Sequence, residues 1–218
     1  DSGVVTWGNP NSGGDSHAVQ DLLINVQEVV ASAGAFAALL SNGRVVTWGD
    51  PEKGGDSSGV QEQLQDVQQV KASGVAFCAV MQDGRVVTWG HSTGGGDSSM
   101  VQVLLRDVKE VQASYFAFAA ILADRTVITW GGENSGGDSR RVRHELIHVE
   151  QIYATHRAFA ARLQDETVVT WGYRPEGGDS TSVQHRLKSV HHIVASSRAF
   201  VAILADGSVV TWGEAHAG

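Results

Sequence analysis

Apolar and polar positions recur along the chain with a period of 41 residues. The clearest copy is the stretch 45–49, which reads Val-Val-Thr-Trp-Gly and is followed by polar residues and glycines. A fixed period of this length indicates a repeat protein in which each unit buries its apolar faces against its neighbours. The stretch occurs six times, once with Ile128 in place of the second valine, and carries all six tryptophans: Trp7, Trp48, Trp89, Trp130, Trp171 and Trp212.

One unit, residues 56–90, shows which elements the pattern predicts. Val60 and Leu64 lie four residues apart, which predicts one apolar face of a short helix of about two turns. Asp56 or Ser57 stands at its start and is a suitable N-cap. Three apolar runs then follow, at 67–72, 76–80 and 86–89, and predict three strands.

The turns between the predicted strands also follow a pattern. Asp83-Gly84 predicts a type I′ hairpin turn, which requires positive φ at both central residues. Two units have Asp124-Arg125 and Asp165-Glu166 at this position. A non-glycine residue at positive φ costs about 1 kcal/mol. We therefore expect these two turns to adopt a different type.

The predicted fold class is all-β with short helical connections. The strands are apolar on both faces, which is typical of sheets packed between sheets, as in a β-propeller. We predict a β-propeller-like array of five 41-residue repeats, each a three-stranded antiparallel meander with a largely buried tryptophan. Residues 1–218 form a single repeat domain in this interpretation, with complete meanders at about 26–49, 67–90, 108–131, 149–172 and 190–213.

An extra N-terminal strand, residues 1–8, has no meander of its own in this interpretation. It would pair with another chain, or it would belong to a longer array of which this sequence is a segment. The pattern favours the segment, because a ring closed by shared terminal strands does not need a sixth copy of the tryptophan strand.

The repeat resembles the regulator of chromosome condensation repeat family. The resemblance rests on Gly54-Gly55, on the Val67-x-x-Val70-x-Ala72 strand and on the run 79–90, Ala-Val-x-x-Asp-Gly-Arg-Val-x-x-Trp-Gly. It implies a β-propeller, commonly seven-bladed. The short period is similar to the compact three-stranded blades of the bacterial propeller inhibitor of β-lactamases.

The resemblance also implies three kinds of function: protein binding, nucleotide exchange on a small GTPase, and accessory domains of large ubiquitin ligases. The constant period leaves no room for the inserted wedge of the exchange factors, and no ligase catalytic domain lies within these residues. We therefore expect neither nucleotide exchange nor ubiquitin ligase activity in this protein. The histidine that the family often has at the start of the second strand is replaced throughout, by Ala35, Ala76, Ala117, Ala158 and Ala199.

Charge and hydropathy argue against a nucleic-acid-binding protein and against a membrane-spanning one. The formal net charge is −8, which argues against a nucleic-acid footprint. No stretch approaches the roughly 18 apolar residues of a membrane helix. We therefore expect no nucleic-acid partner and no direct membrane insertion.

Two motifs are suggestive of metal chemistry. Residues 144–148 spell His-Glu-Leu-Ile-His, the zinc-protease pattern, which needs a long helix to bring both histidines together. The equivalent positions of other repeats are ordinary surface residues, so we interpret the motif as a substituted connection. The recurring Gly-Gly-Asp-Ser, as at 54–57, supplies one carboxylate per repeat, and a helix cap explains it better than a calcium or phosphate site. We expect no metal, no cofactor and no catalytic residue.

Function is expected where the repeats differ. Two sites vary: the dipeptide before each Ala-Phe, and the tetrapeptide after each Trp-Gly. The strand directions place both at the same edge of each meander. We predict a non-enzymatic protein-binding or scaffold propeller, the alternative being a regulatory module of a larger enzyme such as a GTPase exchange factor or a ubiquitin ligase. The predicted protein-binding residues are Tyr115, Phe116, His156, Arg157, Tyr173, Arg174, Ser197 and Arg198.

Overall fold

The computed structural model describes residues 3–216, which divide into two compact units with the boundary between Val108 and Lys109. The first unit contains two three-stranded sheets, each with its strands in sequence order and antiparallel. Their strands are β1 (Val26–Ala31), β2 (Ala35–Leu40), β3 (Val45–Gly49), β4 (Val67–Ala72), β5 (Ala76–Met81) and β6 (Val86–Gly90).

The second unit contains three further sheets of the same order, except that Val108, the first residue of the third sheet, belongs to the first unit. The described residues thus form five antiparallel three-stranded sheets, and the predicted propeller-like all-β fold class is confirmed. The strands are β7 (Val108–Ala113), β8 (Ala117–Leu122), β9 (Val127–Gly131), β10 (Val149–Ala154), β11 (Ala158–Leu163), β12 (Val168–Gly172), β13 (Val190–Ala195), β14 (Ala199–Leu204) and β15 (Val209–Gly213).

The connections between sheets contain 3₁₀ turns instead of the predicted two-turn helix. An α-helix this short gains too few hydrogen bonds to offset its nucleation cost. The apolar spacing instead buries one leucine per connection, as at Leu64, which is completely buried. The 3₁₀ helices are Pro10–Ser12, His17–Leu22, Pro51–Lys53, Gln61–Gln63, Ser92–Gly94, Gln102–Leu104, Glu133–Ser135, Arg174–Glu176 and Gln184–Arg186.

The predicted cap residues bind elsewhere in the connection. Asp56 accepts a hydrogen bond from the backbone N–H of Ser58, two residues on, and so stabilises a turn. Ser57 bonds to Thr47 and donates to Gln61 Oε1, while Gln61 Nε2 donates to the carbonyl of Val45 on the free edge of β3. This network satisfies an edge carbonyl that would otherwise be open to pairing.

In the first, second, fourth and fifth sheets, a tryptophan binds the connection that precedes the sheet. In the fourth sheet, the ring of Trp171 stacks on Phe159 with centroids 5.2 Å apart, and its Nε1 donates to the carbonyl of Gly136, 35 residues earlier. Both rings are buried. The same phenylalanine–tryptophan stack occurs in all five sheets. The indoles of Trp48, Trp89 and Trp212 make the equivalent hydrogen bond to a glycine carbonyl 35 residues earlier.

The first tryptophan, which belongs to no predicted meander, is not buried as the other five are. Trp7 is 84% exposed, and residues 3–8 form no strand in the described structure. The equivalent network still forms, because Thr6 bonds to Ser16 and Gln20 donates to the carbonyl of Val4. What is missing is a neighbouring strand and a phenylalanine ring, since no ring of the described residues stacks on Trp7. Asp1 and Ser2, which the predicted strand also included, lie outside the described residues.

The hairpin turns differ from the predicted type I′. At the second hairpin only Gly84 has positive φ, and its N–H donates to the carbonyl of Met81. This geometry is a type I turn followed by a left-handed residue, a common three-residue hairpin loop. Asp83 keeps negative φ and accepts a hydrogen bond from the N–H of Arg85.

The prediction that the two glycine-free turns adopt another type is wrong. Arg125 and Glu166 take the glycine position with φ of 65° and 63°. The surrounding hydrogen bonds determine this conformation. In the fourth hairpin, Asp165 accepts from the N–H of Thr167, and the carbonyl of Glu166 accepts from the N–H of Val190 in the next sheet.

We expect Glu166→Gly to stabilise the protein by about 1 kcal/mol, because it removes the side chain from the left-handed region while keeping the backbone hydrogen bonds. The measurement is urea unfolding. Gly84→Ala is the matched control and should destabilise, since its Cβ would lie 2.8 Å from the Cα of Asp107. An unchanged or lower midpoint for Glu166→Gly would show that the turn is not strained.

Candidate functional site

The two variable sites of each repeat lie side by side. In the fourth repeat the N–H of Tyr173, the first residue after Trp-Gly, donates to the carbonyl of Arg157 at 2.8 Å. The equivalent bonds join Gly132 to Phe116 and Glu214 to Arg198. The residues that differ most between repeats are therefore held at one edge of each sheet by a backbone hydrogen bond that does not depend on their side chains.

A hydroxyl side chain fixes each variable turn. Thr155 Oγ1 accepts from the N–H of Ala158 and donates to the carbonyl of Glu176, so one side chain ties the dipeptide turn to the loop after the tryptophan. Ser114 makes the equivalent bonds to Ala117 and Ser135. Both hydroxyls are buried, which makes these bonds specific anchors for two adjacent loops.

Turns of consecutive repeats are also linked in the second unit. The N–H of Tyr115 donates to the carbonyl of His156 at 2.9 Å, and the N–H of His156 donates to the carbonyl of Ser197 at 2.8 Å. Three dipeptide turns therefore form a continuous row. We call this row, together with the adjoining loop residues Tyr173 and Arg174, the turn surface.

Aromatic side chains are in contact along the turn surface. The ring of Tyr115 lies 4.6 Å from Phe116 and 4.9 Å from His156, in both cases edge to face. Phe116 remains 37% exposed and His156 is exposed. An exposed group of aromatic side chains with favourable mutual geometry is suited to burial against a partner.

The arginines of the turn surface differ in their partners. The guanidinium of Arg157 lies 4.2 Å from the ring centroid of Tyr173, a cation–π contact. Arg174 pairs with Asp179 at 3.3 Å, and Arg198 pairs with Glu214 at 3.0 Å.

These contacts shift the pKa of two groups, Arg198 and Asp179. The hydrogen bond from Arg198 to Glu214, with the negative charges of Glu214 and Glu176, raises the pKa of the Arg198 guanidinium. Hydrogen bonds from Thr181 lower the pKa of Asp179, with a smaller effect of Arg174. These contacts favour the charged forms of Arg198 and Asp179.

A buried carboxylate lies close to this surface. Glu176 is 8% exposed, and its Oε2 has no hydrogen-bond partner among the described residues. Arg157 Nε is also buried without such a partner. No carboxylate of the described residues lies within ion-pair distance of Arg157, whose guanidinium packs on the ring of Tyr173.

The structure therefore brings the predicted residues together to different degrees. Tyr115, Phe116 and His156 form one group of touching rings, and Arg157 with Tyr173 forms a second contact. Arg174 and Arg198 flank them and are engaged in their own ion pairs. Ser197 contributes its backbone carbonyl to the row of turns and is exposed.

One exposed apolar group in the first unit was not predicted. Met100 is 92% exposed, and Val103 and Leu104 are exposed in the same connection. The signal was present in the sequence: the second repeat has Gly59, Glu62 and Gln63 at these three positions, so the fold does not require apolar residues there.

The His-Glu-Leu-Ile-His motif does not form a helix. His148 has φ of 57°, a left-handed conformation, and directly precedes β10. The histidines therefore do not share a helix face. Within residues 3–216, no group of three or more His, Cys, Asp or Glu side chains is arranged to hold a metal ion.

An open groove of about 840 Å³ runs along β12 in the second unit. Glu133, Asp138, Glu145 and Asp179 line it together with Arg141 and Arg174. The hydroxyls of Thr170 and Ser180 in its wall are hydrogen-bonded to each other, and Ser180 donates to Gln184. These hydroxyls stabilise the strand edge. No histidine is among the residues that line the groove.

The sheets and their order define a propeller-like protein. No protein-family model and no curated protein sequence matches the chain. Among solved structures, it is similar to yeast RCC1 (Prp20) bound to Kap60, with a TM-score of 0.57, 17% identity, and coverage of 86% of this chain and 56% of that one. A second structure is that of Prp20p from Saccharomyces cerevisiae, described with its binding to Gsp1p and histones. Its TM-score is 0.57 at 16% identity, and the match covers 96% of this chain and 65% of that one.

The ectodomain of the receptor kinase CR4 from Physcomitrella patens is similar as well, with a TM-score of 0.56, 17% identity, and coverage of 86% of this chain and 52% of that one. The chain thus spans about half to two thirds of these structures. The predicted resemblance to the chromosome condensation regulators is confirmed as a likeness of fold. In the part of the chain that is described, no helix has the length and apolar character needed to cross a membrane.

Proposed function

We propose that this chain is a non-enzymatic protein-binding or scaffold module that recognises a protein through the turn surface. The observation that carries the proposal is the row of linked turns bearing touching aromatic rings and an arginine stacked on tyrosine. Tyrosine, tryptophan and arginine are enriched among the few residues that supply most of the binding energy of an interface. The yeast RCC1 structure bound to Kap60 shows that a protein with this fold binds another protein.

The repeats supply an internal argument for the same proposal. The second repeat forms its turn with Gly74-Val75, so the fold does not need Tyr115-Phe116 at the equivalent positions. An aromatic pair that folding does not require, and that stays partly exposed, is best explained by a contact with another molecule. Loops on a rigid scaffold are a frequent place for such contacts.

The test replaces one natural turn by another. We expect Tyr115→Gly with Phe116→Val, which installs the turn of the second repeat, to leave the melting temperature nearly unchanged and to weaken partner binding by roughly tenfold or more. The measurement is quantitative affinity purification from a lysate of the source organism, comparing the proteins retained by the parent and by the variant.

Met100→Ser with Val103→Ser is the matched control, because it removes exposed apolar side chains from the first unit. The proposal requires the retained proteins to be lost with the turn replacement and kept with this control. The opposite result would place the interface on the apolar connection and contradict the proposal.

A further inference from the structure

The three arginines of the turn surface are not equivalent as binding groups. Arg174 and Arg198 already have carboxylate partners at 3.3 Å and 3.0 Å. A partner's carboxylate would have to replace an existing ion pair at either position, so the net gain would be small. Arg157 has no such pair with any described residue, and a new carboxylate would meet no competitor there.

Arg157 is also held in place before a partner arrives. Its guanidinium lies on the ring of Tyr173, and its Nε is buried without an acceptor. A long side chain that is already fixed loses little conformational entropy when it binds, and a planar guanidinium can bind a carboxylate through two parallel hydrogen bonds. Fixed geometry and a free charge together favour recognition of a carboxylate.

The neighbouring residue extends this recognition. His156 precedes Arg157 in the same turn, and the ring of Tyr115 packs edge to face against it. The partly exposed Phe116 completes an apolar area next to the charged position. A ligand that fits both features carries an aromatic or apolar side chain close to an acidic one.

We infer that Arg157 is the specificity residue of the turn surface and that the surface binds an acidic peptide segment, with an aspartate or glutamate next to an aromatic residue. This inference rests on the proposed protein-binding function and specifies its ligand. The partner's carboxylate pairs with Arg157, and its aromatic side chain packs against Tyr115 and Phe116. Arg198, whose charge already faces Glu214 and Glu176, takes no direct part.

The experiment selects ligands without assuming a partner. A phage library of random dodecapeptides is selected on the parent protein, and the enriched peptides are synthesised together with versions in which each acidic residue is changed to its amide. Fluorescence anisotropy then gives the affinity of both versions for the parent, for Arg157→Gln, for Arg198→Gln and for the turn replacement Tyr115→Gly with Phe116→Val. Melting temperatures verify that each variant is folded.

We expect acidic–aromatic peptides to be enriched. Amidation of one acidic residue and the change Arg157→Gln should each weaken binding about tenfold or more, which corresponds to about 1.4 kcal/mol. The two changes together should cost little more than either one, since they remove the same contact. Arg198→Gln should alter the affinity less than about threefold.

Failure of the inference can be separated from failure of the proposed function. Peptides that need Tyr115-Phe116 but bind equally well to Arg157→Gln overturn the inference and support the turn surface as the binding site. Peptides whose affinity changes neither with the turn replacement nor with Arg157→Gln contradict both the inference and the proposed function. A selection without acidic peptides, or an effect of Arg198→Gln alone, also overturns the inference.

Discussion

Trp171→Ala is expected to reduce the free energy of unfolding by about 3–5 kcal/mol, the usual range for an aromatic residue removed from a core. Trp171 is 4% exposed and fills the space between Phe159 and the preceding connection. Its loss also leaves the buried carbonyl of Gly136 without its indole donor. The unpaired carbonyl adds to the cost of the cavity.

Trp7→Ala is the matched control, because the same five-residue motif surrounds Trp7. This side chain is 84% exposed and stacks on no described ring, so its removal should change stability by less than about 0.5 kcal/mol. Urea unfolding monitored by circular dichroism measures both variants. Equal losses for the two tryptophans would show that residues 3–8 have a packing partner in solution.

Gly54→Ala is expected to destabilise by about 3 kcal/mol or more. Gly54 has φ of 92°, and a Cβ there would lie 2.5 Å from Cδ2 of Phe77. Left-handed strain alone costs about 1–2 kcal/mol. Displacement of Phe77 would also disturb its stack on Trp89, since both rings are buried in one cluster.

Gly59→Ala provides the comparison, since a Cβ at Gly59 meets nothing within 4 Å and its φ lies outside the left-handed region. It should be neutral within about 0.5 kcal/mol. Thermal unfolding of both variants gives the difference directly. A mild effect of Gly54→Ala would mean that the phenylalanine–tryptophan stack can shift without loss, and that the connection is less fixed than the structure indicates.

The strands were predictable because the residues at their ends recur in every repeat. Ala76-Phe77 begins a strand and Trp89-Gly90 ends one, and each sheet repeats this arrangement. Burial of a particular tryptophan was not predictable from its motif, since it depends on a phenylalanine about a dozen residues earlier in the chain. Trp7 has the motif, but no ring of the described residues stacks on it.

The turn conformations show a second limit of the sequence pattern. Glu166 was expected to avoid the left-handed region, but its hydrogen-bonded neighbours impose that conformation at a cost of about 1 kcal/mol. Local preference is weaker than the sum of the contacts made by the adjacent strands.

The candidate site was predictable in part. Variation between repeats pointed to the dipeptide turns, and strand direction indicated that the two variable sites share an edge. The sequence did not show that Tyr115 contacts His156 or that Arg157 lies on Tyr173, because these side chains come from different repeats or loops. It also gave no way to separate Arg157 from the two arginines that are already paired.

The location of a bound ligand on the protein tests the central claim most directly. Hydrogen–deuterium exchange is measured with and without a saturating acidic–aromatic peptide obtained by the selection on the parent protein. The account predicts protection of the turn surface around residues 115–116, 156–157 and 173–174, with no change at the hairpin turns around 83–84 and 165–166. Protection confined to those hairpin turns, or to the connection around Met100, would contradict it.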